Sequence, residues 1–424
     1  MKIEKILDEH LRESFFKVSH PSGLDIFVYP KEGYSKKFAY FMTRYGALYN
    51  EFTNEKGEAF SLPPGVPHFL EHKIFEDEEK DIFQEFSKLG ASVNAYTNYA
   101  STVYYFSTVK AFEPALKLLV DFVLTPHLTP ENVEKEKGII TQEIRMYDDD
   151  PDWRAYFNGL KKMYQCHPMG EDIAGTEESV NGTTLEDLLL AYDHFYSPRN
   201  MALLVVGDLD PQRTIEYVDG ILPETFLKKR AGGSLTLREE PLNPEVSEVA
   251  VTMGIPTPIF NYFIKGPATS LSPGDYKESM KIRIALEYLF GKGSKFFNEF
   301  YEKGLLNSTF GHEYSYGQGF SYLAFGGESR DPRQMASGIN EALEAFKREG
   351  IEEAGFERIK RKILGRNISA FNSIQTIANI FIGHYIKGVD IFEGMRIVEA
   401  ITKEDVEKSL GMTLKNRTIL SIVQ

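Results

Sequence analysis

The chain has 424 residues, 42% of them hydrophobic and 26% charged, with a single cysteine and a formal net charge of −14 at pH 7. That length suggests two or three domains with ample core. The acidic balance argues against nucleic acid or an anionic membrane as partner, and one cysteine excludes a disulfide framework and fits a reducing compartment.

The N-terminal MKIEKILDEHLRESFF carries charges through any apolar core a signal peptide would need, and no run approaches 18 apolar residues, so a cytoplasmic location without membrane spans is expected. Gly23–Val28 and Phe38–Arg44 then alternate and are β-rich, which predicts a pair of strands. Gly65–Glu76 follows as GVPHFLEHKIFE, entered through Pro63, Pro64 and Pro67, which suit a helical first turn. Its His68, Glu71 and His72 form the pattern H-x-x-E-H. On a helix they fall at about 0°, 300° and 40°, one arc roughly 100° wide. Two imidazoles one turn apart are what a tetrahedral Zn²⁺ takes from a single helix, and the intervening carboxylate is free to act as a base. Phe69, Leu70, Ile74 and Phe75 make the rest of this helix buried. A structural zinc would want a fourth protein ligand, usually Cys, and the only cysteine is Cys166, which reads as a packing residue in a loop.

Asp81–Leu89 predicts a second helix stopped by Gly90, and the β-branched, aromatic Ser92–Thr108 one or two strands. Glu113–Leu124 reads as a third helix. Thr129-Pro130 opens a fourth, to about Tyr147, with an N-cap and a proline at its first position. Its Val133, Ile139, Ile140 and Ile144 point to an inward apolar side, and Glu136 and Glu143 lie two turns apart at nearly one azimuth. Either carboxylate could be the third metal ligand, or pair at the surface with Lys135, Lys137 or Arg145; spacing alone leaves both open. Met201–Val206 is a further strand.

Leu227–Pro244 (LKKRAGGSLTLREEPLNP) is polar with Gly and Pro and predicts a linker, giving domains at 1–226 and 245–424. Beyond it the pattern returns. KFFNEFYEKG at Lys295–Gly304 lies over DIFQEFSKLG at Asp81–Gly90, matching at Phe297, Glu299, Phe300 and Gly304, and each is followed by a strand-like segment. The expectation is α+β: two duplicated domains, of which only the first keeps metal ligands. The GKGSK at Gly291–Lys295 lacks the spacing of a phosphate loop and reads as a turn.

Inverted H-x-x-E-H is the inverzincin signature. HFLEH, followed about seventy residues later by EKGIITQEIRMYDDDP, resembles the pitrilysin/insulinase family of zinc peptidases. The likeness is to its short bacterial members with duplicated domains, related to the mitochondrial processing peptidases. It implies that each domain is a mainly antiparallel sheet with helices packed on it, forming a clam-like chamber with a partner chain. It implies Zn²⁺ on His68, His72 and Glu143, with Glu136 a supporting carboxylate close to the metal and Glu71 the general base of a zinc endopeptidase. It also implies that Asn94 and Ala95, in VNAYTNY, hold a peptide substrate as an added strand. The family uses a downstream Arg and Tyr as well. In the matching FNEFYEKGLLNS, Tyr301 stands at the Arg position and Asn307 near the Tyr position. The expected partner is therefore a homologous chain that supplies this pair in a heterodimer; in a homodimer, His312, Tyr314 or Tyr316 would have to substitute. The alternative function is a structural or assembly subunit retaining a vestigial metal site.

Overall fold

The computed structural model describes residues 1–77, 80–230, 232–410 and 417–424. Strands β1 (Lys2–Asp8), β2 (Glu13–Ser19), β3 (Asp25–Pro30), β4 (Lys37–Thr43), β5 (Glu51–Asn54) and β6 (Ala59–Ser61) precede helices α1 (Val66–Ile74) and α2 (Ile82–Lys88). The hairpin β7 (Ala91–Thr97) and β8 (Thr102–Thr108) leads into α3 (Phe112–Leu124), α4 (Pro130–Asp148), α5 (Pro151–Met163), α6 (Glu177–Gly182) and α7 (Leu185–Phe195). After β9 (Met201–Gly207) come α8 (Pro211–Ile221), α9 (Glu224–Leu227), β10 (Gly233–Leu235), β11 (Glu248–Val251) and β12 (Ile259–Lys265). Helices α10 (Pro273–Phe290) and α11 (Lys295–Glu302) precede β13 (Gly311–Gly317) and β14 (Phe320–Glu328). Helices α12 (Pro332–Glu349), α13 (Glu353–Ala370), α14 (Ile374–Ile386), α15 (Ile391–Ala400) and α16 (Lys403–Ser409) and strand β15 (Thr418–Val423) complete the chain.

Two compact units share these elements: Met1–Ile144, Glu171–Thr236 and Ala370–Gly383 form the first, and Arg145–Gly170, Leu237–Ser369 and His384–Gln424 the second. The first holds a seven-stranded sheet in the order β1-β2-β3-β9-β4-β8-β7, antiparallel except where β3 meets β9, and a small sheet β10-β5-β6. The second holds β11-β15-β12-β14-β13, antiparallel except where β11 meets β15.

The two sheets share one topology. Without β1 and β2, the first reads β3-β9-β4-β8-β7 and matches the second strand for strand, including the single parallel pair. Two helices precede the hairpin in both units (α1 and α2, α10 and α11) and two long helices follow it (α3 and α4, α12 and α13). The α+β duplication read from ten aligned residues thus extends over whole sheets.

Two expectations differ, and one element was not foreseen. The strands at 25–30 and 37–43 belong to one sheet but do not pair, because β9 lies between them, parallel to β3 and antiparallel to β4. Every residue of MALLVVG is buried, which suits a strand with neighbours on both sides, and sequence neighbours pair only about two-thirds of the time. The charged N-terminus, for which no element was expected, forms the β1–β2 hairpin with Lys2 opposite Ser19; KIEKILD hides its period because both faces of β1 are largely exposed. The units also do not follow the linear halves: 145–170, with α5, joins the second and 370–383 the first, although the Thr236/Leu237 break falls inside the segment read as a linker. No helix among the described residues is long and apolar enough to cross a membrane.

Candidate metal centre

The local sequence fixes how α1 enters the first unit. Gly65 caps it at φ 95°, and a Cβ there would lie 2.4 Å from the carbonyl oxygen of Ala174. Gly175, at φ 80°, approaches from the other side, where a Cβ would lie 2.4 Å from the oxygen of Pro64. Gly65→Ala is expected to lower the thermal unfolding midpoint, the left-handed backbone alone costing about 1–2 kcal/mol and the clash adding to it; calorimetry reads the shift.

Val66, Phe69, Leu70 and Ile74 anchor α1 in the core, leaving His68, Glu71 and His72 on the opposite arc. The two imidazole centroids are 4.5 Å apart. Helix α4 buries Val133 and Ile140 in the same core; Ile139, expected inside, is 49% exposed because it lies off that stripe. This seating brings Glu143 Oε2 to 3.7 Å from His68 Nε2 and 3.5 Å from His72 Nε2.

The donor atoms of His68, His72 and Glu143 all lie within 4.8 Å of one another, the one such group of His, Cys or acidic side chains among the described residues. Tetrahedral zinc with bonds of about 2.0–2.2 Å has ligand–ligand edges of about 3.3–3.6 Å, so this group fits the ion with little adjustment. Two imidazoles and one carboxylate are also zinc-type ligands. Side-chain exposures of 13%, 26% and 24% leave the group open on one side, as a site with an exchangeable fourth position requires.

Electrostatics agree with that fit. Burial, and after it the neighbouring His72, push His68 down to about 3, so its ring is neutral with a lone pair to offer. For His72, burial opposes the charge, but the hydrogen bond it donates to Glu136 and the nearby carboxylates outweigh it and raise the pKa. The Glu136 acceptor keeps the proton on Nδ1 and so leaves Nε2, beside Glu143, as the nitrogen that can offer a lone pair.

Behind these groups lies a buried polar chain. His72 Nδ1 donates to Glu136 Oε1 at 3.0 Å, which leaves Nε2 facing Glu143. Glu136 Oε2 is 3.5 Å from Lys73 Nζ, which donates to the carbonyl of Asn132 at 3.0 Å and pairs with Glu76. Burial would raise Glu136, but the His72 hydrogen bond and the charges of His72 and Lys73 hold it below the usual carboxylate range. Sequence reasoning passed over Lys73, although Val66, Phe69, Leu70 and Lys73 follow the i, i+3, i+4, i+7 spacing of a buried stripe. Lysine there, fully buried, had to have an acid partner. Glu136→Gln is expected to weaken zinc binding by about 10–100-fold while the fold persists; competition with a chromogenic chelator measures it.

Glu71 stands beside the group with its carboxyl raised above the usual range by burial, and it accepts a 2.6 Å hydrogen bond from the Thr97 hydroxyl. Asn94 and Ala95 lie on the same strand, β7, at the sheet edge; Asn94 is exposed and its side-chain oxygen accepts from the Ala95 amide at 2.8 Å. In the second unit, Tyr301 is 57% exposed on α11 and Asn307 donates to Glu328 at 2.6 Å. Tyr314 and Tyr316 are buried on β13, and burial pushes half-buried His312 down. Cys166 is exposed, correcting its reading as a packing residue: its backbone amide, held by Glu240 at 2.8 Å, fixes the loop without turning the side chain inward.

The arrangement has relatives. A profile of the insulinase family (peptidase family M16) matches residues 62–177, and one of the peptidase M16 inactive domain matches 183–363. The zinc protease YmfH of Bacillus subtilis, itself uncharacterised, is 38% identical over 413 residues, 96% of this chain and 95% of that one. YmxG of the same organism, another uncharacterised zinc protease, is 28% identical over 71% of this chain and 73% of its own. The crystal structure of an M16-like peptidase from Alicyclobacillus acidocaldarius superposes with a TM-score of 0.92 at 31% identity, covering 100% of this chain and 98% of that one.

Proposed function

Because the chain belongs to the insulinase family of peptidases (peptidase family M16), we propose that it is a zinc-dependent endopeptidase hydrolysing peptide bonds in peptides or small unfolded segments. The observation that carries this reading is the convergence of His68, His72 and Glu143 beside an unligated carboxylate, Glu71. A zinc ion held by those three residues supplies a Lewis acid that acidifies water and polarises a carbonyl.

The remaining work falls to the chain itself. Glu136 holds His72 with Nε2 directed at the shared centre. Glu71 takes the proton from water as it adds to the scissile carbonyl and passes that proton to the departing amine. The outer edge of β7, around Asn94 and Ala95, lays the peptide alongside as an extra strand. One cysteine suits a reducing, cytoplasmic setting.

For the partner, a homologous chain that supplies an Arg and a Tyr is the reading favoured by Tyr301 and Asn307 at the corresponding positions of this chain. The same two residues support a second reading, a non-catalytic subunit with a vestigial metal site. One experiment separates them: a peptide mixture is incubated with the zinc-loaded chain, alone and with a homologous chain from the same genome, before and after chelation. Cleavage that chelator abolishes and zinc restores is expected. One equivalent of bound zinc with no cleavage under either condition selects the non-catalytic reading.

A further inference from the structure

Of the three acids around the centre, Glu71 is the one whose carboxylate makes no approach to the two imidazoles within ion-pair distance among the described residues, while Glu136 and Glu143 both do. Its side chain is tied elsewhere. Thr97, the last residue of β7, donates its hydroxyl to Glu71 Oε2 at 2.6 Å, in the range of a charge-assisted O–H···O⁻ bond. The Thr97 oxygen lies 3.1 Å from the Thr102 hydroxyl, directly across the hairpin in the β7–β8 register. Thr102 is fully buried and donates its one hydroxyl proton to the carbonyl of Tyr45 at 2.9 Å, so its approach to Thr97 is a packing contact and not a further hydrogen bond. The hydroxyl on Glu71 is therefore carried by a strand paired into the sheet and packed against a buried neighbour, a more rigid support than a loop or water would give.

We propose that Thr97 is a positioning residue for the general base: its hydroxyl occupies Glu71 Oε2, fixes the carboxylate plane, and leaves Oε1 as the oxygen that receives the proton. This rests on the endopeptidase reading above for its catalytic consequence, but the geometric part stands without it. A carboxylate hanging from a helix by two methylenes samples several rotamers; one strong bond to a strand reduces these to the one that faces the reacting water. Because Thr97 lies on the strand whose edge receives the peptide, base and substrate are referenced to the same β7 backbone. A shift of α1 then cannot separate them without breaking the Thr97–Glu71 bond.

Thr97→Val keeps the β-branched shape and removes only the hydroxyl; Thr97→Ser keeps the hydroxyl. Crystal structures of the zinc-loaded wild type and both variants give a readout independent of activity. Glu71 is expected in one rotamer, bonded to residue 97, in wild type and Thr97→Ser, and displaced or spread over several rotamers in Thr97→Val. An unmoved Glu71 in Thr97→Val overturns the proposal even if no peptide is ever cleaved. In kinetics, Thr97→Val is expected to lower kcat about 10–100-fold with KM, zinc content and melting temperature unchanged, and Thr97→Ser to restore most of it. In a Glu71→Gln background, Thr97→Val is expected to add no further loss. A loss that persists undiminished in that background, or that comes with lost zinc or stability, assigns Thr97 a structural role and overturns the proposal. A wild type that binds zinc but cleaves nothing counts against the endopeptidase reading alone.

Discussion

Glu71→Gln is expected to lower kcat on any peptide the chain cleaves by about 10²–10⁴-fold while one equivalent of zinc stays bound. The amide matches the carboxylate in size, and its oxygen can still accept the Thr97 hydroxyl bond, so packing around α1 is preserved. What disappears is the capacity to take a proton from water. Since Glu71 is not one of the three converging donors, metal content is expected to remain at the wild-type level. The check is steady-state kinetics alongside metal analysis on the same preparation. Full activity with zinc in place would remove Glu71 from the mechanism and, with it, the account of Thr97.

Glu143→Ala is expected to have the opposite signature, with the metal lost and the fold kept. Structural four-ligand zinc sites bind with roughly 10–16 kcal/mol, so one ligand contributes on the order of 3 kcal/mol and its removal weakens binding at least about 100-fold. Glu143 is half-buried near the open side of the group, and its loss leaves the core residues of α4, Val133 and Ile140, untouched. Zinc competition titration measures the affinity, and the circular dichroism melt is expected to match that of the metal-free wild type. Tight zinc binding in this variant would mean that another residue, Glu136 foremost, is the third ligand. The pair of variants thus separates holding the ion from moving the proton.

The contrast between Glu136 and Glu143 shows where local reading stops. Seven residues apart on one helix, they present the same chemistry at nearly the same azimuth, and nothing in α4 alone distinguishes them. Two turns of rise place one against His72 Nδ1 and Lys73, deep in the unit, and the other between the two Nε2 atoms at its open side. Lys73 was legible in principle from its place on the apolar stripe. Thr97 was not: it meets Glu71 across 26 residues, from strand to helix, and a threonine in a β-rich segment is unremarkable by composition.

By itself, then, the chain's order of residues determined what depends on neighbours within a turn or two. This covers the H-x-x-E-H arc on α1, the Gly90 stop after α2, the N-cap start of α4, and the recurrence of the same helix before each hairpin. These are settled by periodicity and capping, which act over a few residues. Only the tertiary structure decided that β9 separates β3 from β4, that α5 leaves the half of the chain in which it lies, and which acid meets which imidazole nitrogen. Those outcomes turn on competition among distant segments for the same buried surface and the same few buried donors and acceptors. Such competition is resolved over the whole unit at once, and no local pattern encodes it.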